Sequence, residues 1–311
     1  MEAGLKVLVR WKDSWQKRRP EAERIYQLEK LVSSWNSRAG LVQHSLRVIE
    51  PLQALRRSTL GLLASVASSK NDGDSLVRRV NDEIDRSWLL SAKAARKSQH
   101  YHRAYSCLLN AERPIIDAEP GSAASLLRAE VLIEKAKLDW KNGNQEEAMR
   151  LLNSSVEFYL TPQGADADIS VDKDMAAMTR LLLTQYWEEA GYQDSAKIRS
   201  SYERVCQMSS DWEQGYFYLA KYLDKVHSSK GDRSRELQPD LVHTIVTSYG
   251  KSLVYGFRHV YEALPRLLTL WMEFGTAIET VRSSSSKSGT ASNAQSIMRV
   301  QQNLKELTKT V

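Results

Sequence analysis

The sequence predicts an all-α protein built as an array of helical hairpins. Glycine and proline are scarce, at 14 and 7 of 311 residues. Sheet proteins need such turn residues about every 8–12 positions, so their scarcity favours long helices with few turns. Apolar residues recur with helical spacing over most of the chain, and alternating strand patterns are lacking.

The helical spacing is clearest over residues 72–99. Apolar side chains recur there every three or four positions and place one stripe on a helix, at Leu76, Val80, Ile84, Trp88, Ala92 and Ala95. Asp74 stands where an N-cap belongs. Similar stripes predict further helices over 122–142, 144–159, 174–190, 194–208, 213–227 and 240–256.

Short polar stretches separate these helices, at 68–75, 113–122, 161–170, 228–239 and 282–293. Pro239 suits the first turn of the helix that follows it. The same helical pattern resumes after each break, so we expect one domain over 1–311. Within it we expect N-terminal helices at 1–67, hairpins at 74–227, and C-terminal helices at 238–311 with a Ser-rich loop at 282–293.

The hairpins repeat along the chain. Residues 88–111 have the form of a tetratricopeptide hairpin, with small residues at Ala92 and Ala104 that let two helices approach closely. Two further hairpins are predicted by their small residues and turns: Ala136, the turn 142–145 and Ala148; then Trp187, the turn 190–195 and Ala196. The alanines at 104, 148 and 196 are 44 and 48 residues apart, longer than a strict tetratricopeptide. The spacing predicts a solenoid of degenerate tetratricopeptide-like hairpins with lengthened loops.

Residues 249–275, YGKSLVYGFRHVYEALPRLLTLWMEFG, interleave aromatic and basic residues. The first helix of this region places Val242, Ile245, Val246, Tyr249 and Leu253 on one face. A second stripe is predicted to face the core, at Val260, Leu264, Leu267, Trp271, Phe274 and Ile278. Arg258, Glu262 and Arg266 are predicted to form a solvated face with nearly balanced charge. Pro265 should kink or interrupt the helix there.

The composition narrows the class of protein without naming a function. A net charge of +6 is a thin excess over 311 residues, so a basic helical protein without a nucleic-acid partner is favoured. Two distant cysteines, Cys107 and Cys206, exclude a disulfide framework and fit a reducing compartment. The chain has no apolar run near the ~18 residues of a membrane span, so we expect a soluble intracellular protein with no membrane partner.

Motifs of catalysis are absent from the sequence. It contains no GxxxxGK[ST], GxGxxG, HRD, DFG, GxSxG or HExxH pattern. His100 and His102 are the one metal-like pair, and they lack further ligands; a solvated turn is the favoured interpretation. We therefore assign no catalytic, cofactor-binding or metal-ligating residue in this chain.

Basic runs and aromatic residues leave a second interpretation open. Basic runs occur at 16–24, Arg56–Arg57 and Arg78–Arg79, and the first of them could serve as a localisation signal or a phosphate contact. They are more often polar helix flanks. Eight Trp and thirteen Tyr could stack on bases. In hairpin arrays such aromatic residues usually fill the space between helices.

Four blocks of the sequence together resemble a known family: residues 35–57, 87–112, 211–226 and 249–275. The segments EPLQALRR, AYSCLLNA, FYLAKY and LPRLLTLW carry the match. In this order they resemble the FAT domain of phosphatidylinositol-3-kinase-related protein kinases. Within that family they look most like the ATR-type DNA-damage checkpoint kinases. The resemblance covers residues 35–280.

The resemblance implies a helical scaffold of a large serine/threonine protein kinase. It implies that this chain is a fragment lacking the kinase domain, and that ATP and Mg belong to that domain. The expected partners are the kinase domain of the same polypeptide and the ATR-interacting partner subunit, with no direct nucleic-acid contact. The expected location is the nucleus. The alternatives are a free-standing tetratricopeptide-like adaptor that binds peptides, and a protein that binds nucleic acid directly.

Overall fold

The computed structural model describes residues 20–40, 45–69, 74–112, 123–159, 173–229 and 239–285. This part of the chain is all-α, with eleven α-helices, one π-helical turn and no strands. The prediction of an α-solenoid of helical hairpins is confirmed. The chain forms two compact units, Met1–Val171 and Asp172–Val311. The expected loops at 113–122 and 161–170 lie outside the described residues.

The described residues of the first unit form six α-helices and a π-helical turn. They are α1 Glu21–Gly40, α2 Leu46–Ser69, α3 Asp74–Lys97, α4 Tyr101–Glu112, α5 Ala123–Lys141 and α6 Gln145–Ser154, followed by the π turn Ser155–Tyr159. From α2 to α6 each helix packs on the next one along the chain. In addition, α3 packs on both α1 and α5, so it is the central helix of the unit.

Small residues bring the paired helices of this unit together. Ala92 on α3 and Ala104 on α4 are each 1% exposed, and Ala136 on α5 and Ala148 on α6 are fully buried. The two predicted hairpins are therefore confirmed. The α5–α6 turn includes Gly143 at φ +88°, a left-handed conformation that favours glycine.

Five helices lie in the part of the second unit that the structure describes. They are α7 Lys173–Ala190, α8 Ser195–Met208, α9 Glu213–Ser229, α10 Pro239–Tyr255 and α11 Val260–Ser285. Each helix packs on the next, and their apolar faces form one core. Phe217 of α9 lies in that core, as do Ile245 and Tyr249 of α10. The stripe predicted for the helix before Gly256 is thus confirmed, and α10 begins at Pro239 as predicted.

The third hairpin exists, but its key residue was predicted incorrectly. Ala196 is exposed in the first turn of α8. The fourth residue of α8 is Ile198, which is 5% exposed, and the fourth residues of α4 and α6 are Ala104 and Ala148. All three donate their main-chain N–H to the residue just before their helix. The prediction fell two residues early, at Ala196, because the equivalent buried position is occupied by the larger Ile198 and not by an alanine.

Part of the predicted core stripe of α11 is confirmed, because Leu267 packs against the core of the second unit. The side chains of Phe274 and Ile278 lie outside the described part.

Two other members of that stripe were predicted incorrectly. Leu264 is 42% exposed and Trp271 is 37% exposed, whereas Ala263 and Leu270 are fully buried. The buried face is rotated by about one residue, or ~100° on a helix, from the predicted stripe. The predicted stripe contained only large apolar residues, whereas the buried face includes a small one, Ala263.

Pro265 does not interrupt α11, which continues from Val260 to Ser285. Pro265 is the sixth residue of the helix, so the missing N–H removes a hydrogen bond to the Tyr261 carbonyl alone. The helix extends through Ser285 into the stretch expected to be a Ser-rich loop, and residues 286–293 lie outside the described part. The division into segments 1–67, 74–227 and 238–311 stays a prediction.

Candidate interaction surfaces

The histidines and cysteines of the described residues do not form a metal-binding cluster. Within the described residues, no group of three or more His, Cys, Asp or Glu side chains could hold a metal ion. His100 and His102 are exposed, the first in the α3–α4 connection and the second in the first turn of α4. Both cysteines are buried free thiols, and burial raises the pKa of Cys206 to about 12, so it is a poor nucleophile. None of the described helices has a stretch long and apolar enough to span a bilayer.

Arg57, from one of the predicted basic runs, faces other helices of the first unit. Its guanidinium lies 3.7 Å from the centroid of the Trp88 ring and donates hydrogen bonds to Ser91 Oγ at 2.8 Å and Glu50 Oε1 at 2.9 Å. Arg103 of α4 also pairs with Glu50, at 3.3 Å. Burial opposes ionisation of Glu50, but the Ser91 hydroxyl and the two guanidiniums lower its pKa. This cluster joins α2, α3 and α4, which argues against Arg57 as a phosphate contact.

The other basic residues divide between structural and exposed roles. Arg56 donates to the main-chain oxygen of Trp35 and to Asn36 Oδ1, the latter at 3.3 Å, and its guanidinium stands over the Trp35 ring. It therefore joins α2 to α1. Arg79 pairs loosely with Glu29 at 3.7 Å, while Arg78 is exposed. Residues 16–19 of the first basic run lie outside the described part.

In the second unit, the start of α9 is tied to the connection between α10 and α11. The Glu213 carboxylate accepts a hydrogen bond from the main-chain N–H of His259 at 2.8 Å. The His259 ring stacks on Phe217, with centroids 4.0 Å apart and planes 6° apart. Gly256 lies against the Glu213 side chain, where a Cβ would overlap the carboxylate. A larger residue at this position would force the Glu213 carboxylate to move.

Farther along α9, two ion pairs reach α11. Lys221 donates to Glu262 at 3.0 Å on the surface. Arg266 donates two hydrogen bonds to Asp224, at 2.7 and 2.8 Å. Glu262 is exposed as predicted, whereas Arg266 is half-buried. The predicted pairing of Glu262 with an Arg of its own helix was wrong, because the partners of both residues lie on α9. Spacing along one helix predicts pairs within that helix, and it does not detect a neighbouring helix.

The second unit has a groove with a volume of about 830 Å³. It is lined by polar and aromatic residues of α7, α8, α9 and α11, including Glu188, Tyr218, Lys225 and Arg266. Glu188 accepts hydrogen bonds from Tyr202 Oη at 2.9 Å and Lys225 Nζ at 2.7 Å. Burial and the Glu188 charge both raise the pKa of Tyr202, so its hydroxyl stays a donor. The ion pairs Lys225–Glu188 and Arg266–Asp224 join the helices that line this groove.

The first unit has a groove of about 490 Å³, which we call the α1–α3 groove. It is lined by α1, α2 and α3 with one residue of α5: Val32, Trp35, Asn36, Ile49, Gln53, Arg56, Leu60, Glu83, Arg86, Ser87, Leu89, Leu90, Lys93, Ala94, Lys97 and Glu130. Its floor contains the buried residues Leu60, Leu89 and Ala94. Neither groove could be predicted from the sequence, because each combines residues of four helices.

The outer face of α11 carries an exposed apolar stripe. Tyr261 is 92% exposed, Leu268 is 55% exposed and Met272 is 71% exposed, and Leu264 lies between them. These residues recur every three or four positions, so they form one row on the helix. Such a row is typical of a surface that another element covers.

Comparison with known proteins identifies the family. The family model "FAT domain" matches residues 13–269, which include most of both units. The chain is 28% identical to "Serine/threonine-protein kinase ATR" of Arabidopsis thaliana, over 83% of this chain and 10% of that protein. It is 26% identical to the protein of the same name in Drosophila melanogaster, over 77% of this chain and 9% of the relative.

A fungal relative matches a smaller part of the chain. "Protein kinase rad3" of Schizosaccharomyces pombe is 26% identical over 60% of this chain and 8% of that protein. The chain thus spans about a tenth of the length of the curated relatives it matches. Since the family model covers well over half of the residues, the chain belongs to the FAT domain family.

Proposed function

We propose that this chain is a helical scaffold of an ATR-like serine/threonine protein kinase that acts in DNA-damage checkpoint signalling. In this proposal it supports the kinase domain of the same polypeptide and a partner subunit, and has no active site of its own. ATP and Mg would bind in the kinase domain. The complex would act in the nucleus.

The observation that carries the proposal is the family match over residues 13–269. The relatives from a plant, an insect and a fungus are all named as protein kinases. Each matches over a tenth or less of its length, so the kinase activity of those proteins need not reside in the matched segment. This agrees with a sequence that contains no kinase motif.

The packing of the second unit supports a mechanical role. Cross-helix hydrogen bonds and ion pairs fix the position of α11 against α9, through Glu213, Lys221 and Asp224 on α9. Buried contacts and directional hydrogen bonds resist relative motion of the helices. A stiff helical support can hold a neighbouring domain in one orientation, which is the property a scaffold requires.

The first test extends the coding sequence downstream of Val311. An in-frame kinase domain is the expected result, and a natural end of the frame without one in every transcript would refute the proposal. The second test is a binding assay with the purified 311-residue chain and the downstream kinase domain. Docking of the two supports the scaffold, and absence of docking argues against it.

A peptide-binding adaptor is the second candidate. The groove of the second unit favours it, because it is about 830 Å³ in volume and carries both cations and carboxylates on its walls. A peptide library screened on the purified chain distinguishes the two candidates. Capture of a defined peptide in this groove, lost on Lys225→Glu and without docking to the kinase domain, would favour the adaptor.

A further inference from the structure

The α1–α3 groove has an apolar floor and an excess of positive charge on its rim. Its lining contains four cations, Arg56, Arg86, Lys93 and Lys97, against two carboxylates, Glu83 and Glu130. The lining therefore carries two more cations than carboxylates. Its charge complements an acidic partner.

Two of the four cations already have structural partners. Lys93 pairs with Glu130 at 2.6 Å, and Arg56 is bonded to Trp35 and Asn36. Arg86 and Lys97 are exposed and project from α3 into solvent. Asp82, one turn before Arg86, offsets part of its charge from outside the groove. The rim therefore offers two cations to a ligand, one at each end.

The cations share one face of α3 with an exposed leucine. Arg86, Leu90, Lys93 and Lys97 follow at steps of four, three and four residues, which is one row on a helix. Arg86 and Lys97 are thus about 16 Å apart along the axis, or three helical turns. Leu90 lies between them and is 40% exposed, which leaves an apolar contact at the middle of the row.

Two further lining residues are aromatic and aliphatic. Trp35 of α1 is half-buried, with the Arg56 guanidinium 5.6 Å from its ring centroid. Ile49 of α2 also lines the groove and is half-buried. An apolar trough about three turns long with cations at both ends matches the helix-in-groove mode of recognition, in which apolar residues anchor the ligand at spacings of three and four.

From this arrangement we propose that the α1–α3 groove binds an acidic amphipathic helix of a partner protein. The apolar face of that helix lies against Leu90, Trp35 and Ile49. Its carboxylates pair with Arg86 at one end and Lys97 at the other. The groove is complete within the first unit, so the proposal does not depend on the proposed kinase-scaffold function.

The test uses the 311-residue chain and two synthetic peptides of about four helical turns. One has Leu and Phe on one face and Glu on both flanks, and the other has Lys in place of every Glu. Fluorescence anisotropy should show the acidic peptide binding at least about tenfold more tightly than the basic one. Equal affinity for the two, or no binding of the acidic peptide, would overturn the proposal.

Charge reversal locates the site. Arg86→Glu with Lys97→Glu should weaken the acidic peptide about tenfold or more and strengthen the basic peptide, because the rim charge changes sign. Arg78→Glu with Lys141→Glu is the matched control, since it changes the net charge equally and both residues are exposed in the first unit outside the groove lining. An equal loss in the control would show that net charge alone attracts the peptide, and the proposal would fail.

Two further measurements test the apolar contact and the class of ligand. Leu90→Ala should also weaken the acidic peptide, and its partial exposure means that the helical circular dichroism signal should not change. A single-stranded oligonucleotide is then added as competitor at ~150 mM salt. Displacement of the acidic peptide from Arg86 and Lys97 by the oligonucleotide would assign the groove to nucleic acid instead and contradict the proposal.

Discussion

The Glu213 carboxylate on α9 accepts a 2.8 Å hydrogen bond from the main-chain N–H of His259, one residue before α11 begins. The first N–H groups of a helix have no partner within the helix, and a carboxylate at that end also interacts favourably with the helix dipole. Glu213 therefore serves as an N-cap for α11 that is supplied by another helix. Gly256 leaves room for it.

Loss of this cap should destabilise the second unit. We expect Glu213→Ala to lower the free energy of unfolding by about 1–2 kcal/mol, the usual range for removal of a capping side chain. Gly256→Ala should cost a similar amount, because the new methyl group displaces the Glu213 carboxylate from His259. Urea denaturation followed by circular dichroism measures both.

The double variant tests whether the two losses have one cause. If Gly256→Ala acts by displacing Glu213, its cost should be smaller in the Glu213→Ala background, giving a coupling of about 1 kcal/mol. Strictly additive losses would show that Gly256 matters for another reason. Gly250→Ala is a control inside α10, where an added Cβ meets no atom within 4 Å.

The bidentate pair between Asp224 and Arg266 should contribute more than an ordinary surface ion pair. Its side chains are 13% and 32% exposed, and two hydrogen bonds hold it in one geometry. Asp224→Ala should cost about 1–3 kcal/mol, since charge-assisted bonds are lost and Arg266 stays partly buried. Urea denaturation measures the loss.

A reversed pair separates this interaction from its surroundings. Asp224→Arg together with Arg266→Asp should recover part of the stability that either single reversal loses. The control is Arg199→Ala, whose partner Glu203 lies four residues away on an exposed face of α8, with an expected cost below about 0.5 kcal/mol. A cost for Asp224→Ala no larger than this control would contradict the assignment.

The sequence predicted the hairpins because their signals are local. Ala92 pairs across the turn with Ala104, and small residues and apolar stripes lie within one hairpin. Ile198 was not predicted as the equivalent buried residue of the third hairpin, because its position accepts a larger side chain than the alanines at 104 and 148. Tertiary packing decides which size fits, and a single sequence does not contain that information.

The interaction surfaces could not be predicted for a related reason. Arg266 and Asp224 are 42 residues apart in sequence, and Glu213 reaches a main-chain N–H 46 residues away. The charged residues predicted for α11 are present, but Glu262 and Arg266 pair with residues of α9 and not with each other. Arg57 lies in a basic run of the sequence, but the aromatic ring on which its guanidinium stacks, Trp88, belongs to the next helix. Such pairs depend on how helices are arranged in space.

Arg57 should not tolerate replacement by lysine. The guanidinium stacks on Trp88 while it donates to Ser91 and Glu50, and an ammonium group lacks the planar fork that these contacts need. Arg57→Lys should lower the stability of the first unit by about 1–2 kcal/mol. The measurement is urea denaturation, with Arg78→Lys on exposed α3 surface as the control that should be neutral.

Burial of Asp85 on α3 should make the free energy of unfolding depend on pH. It is 4% exposed, and burial together with the nearby Asp82 charge raises its pKa to about 7. An aspartate in an unfolded chain has a pKa of about 3.9. Between these values the folded state holds a proton that the unfolded state has lost. This residue therefore makes stability fall as pH rises from about 4 to about 7, and its effect is constant above that range.

Asp85→Asn removes the titrating group while it keeps a side chain of similar size. The stability of the variant relative to the natural chain should increase as pH rises from 4 to 7. Between pH 4 and pH 8 this relative stability should change by up to about 4 kcal/mol. Urea denaturation of both proteins at pH 4, 5, 6, 7 and 8 gives the difference directly, because other titrating groups contribute to both. A difference that is independent of pH would mean that Asp85 titrates alike in the folded and unfolded chains. A difference that falls as pH rises would require a carboxylate stabilised by a cation in the folded chain, and it would contradict burial as the dominant effect on Asp85.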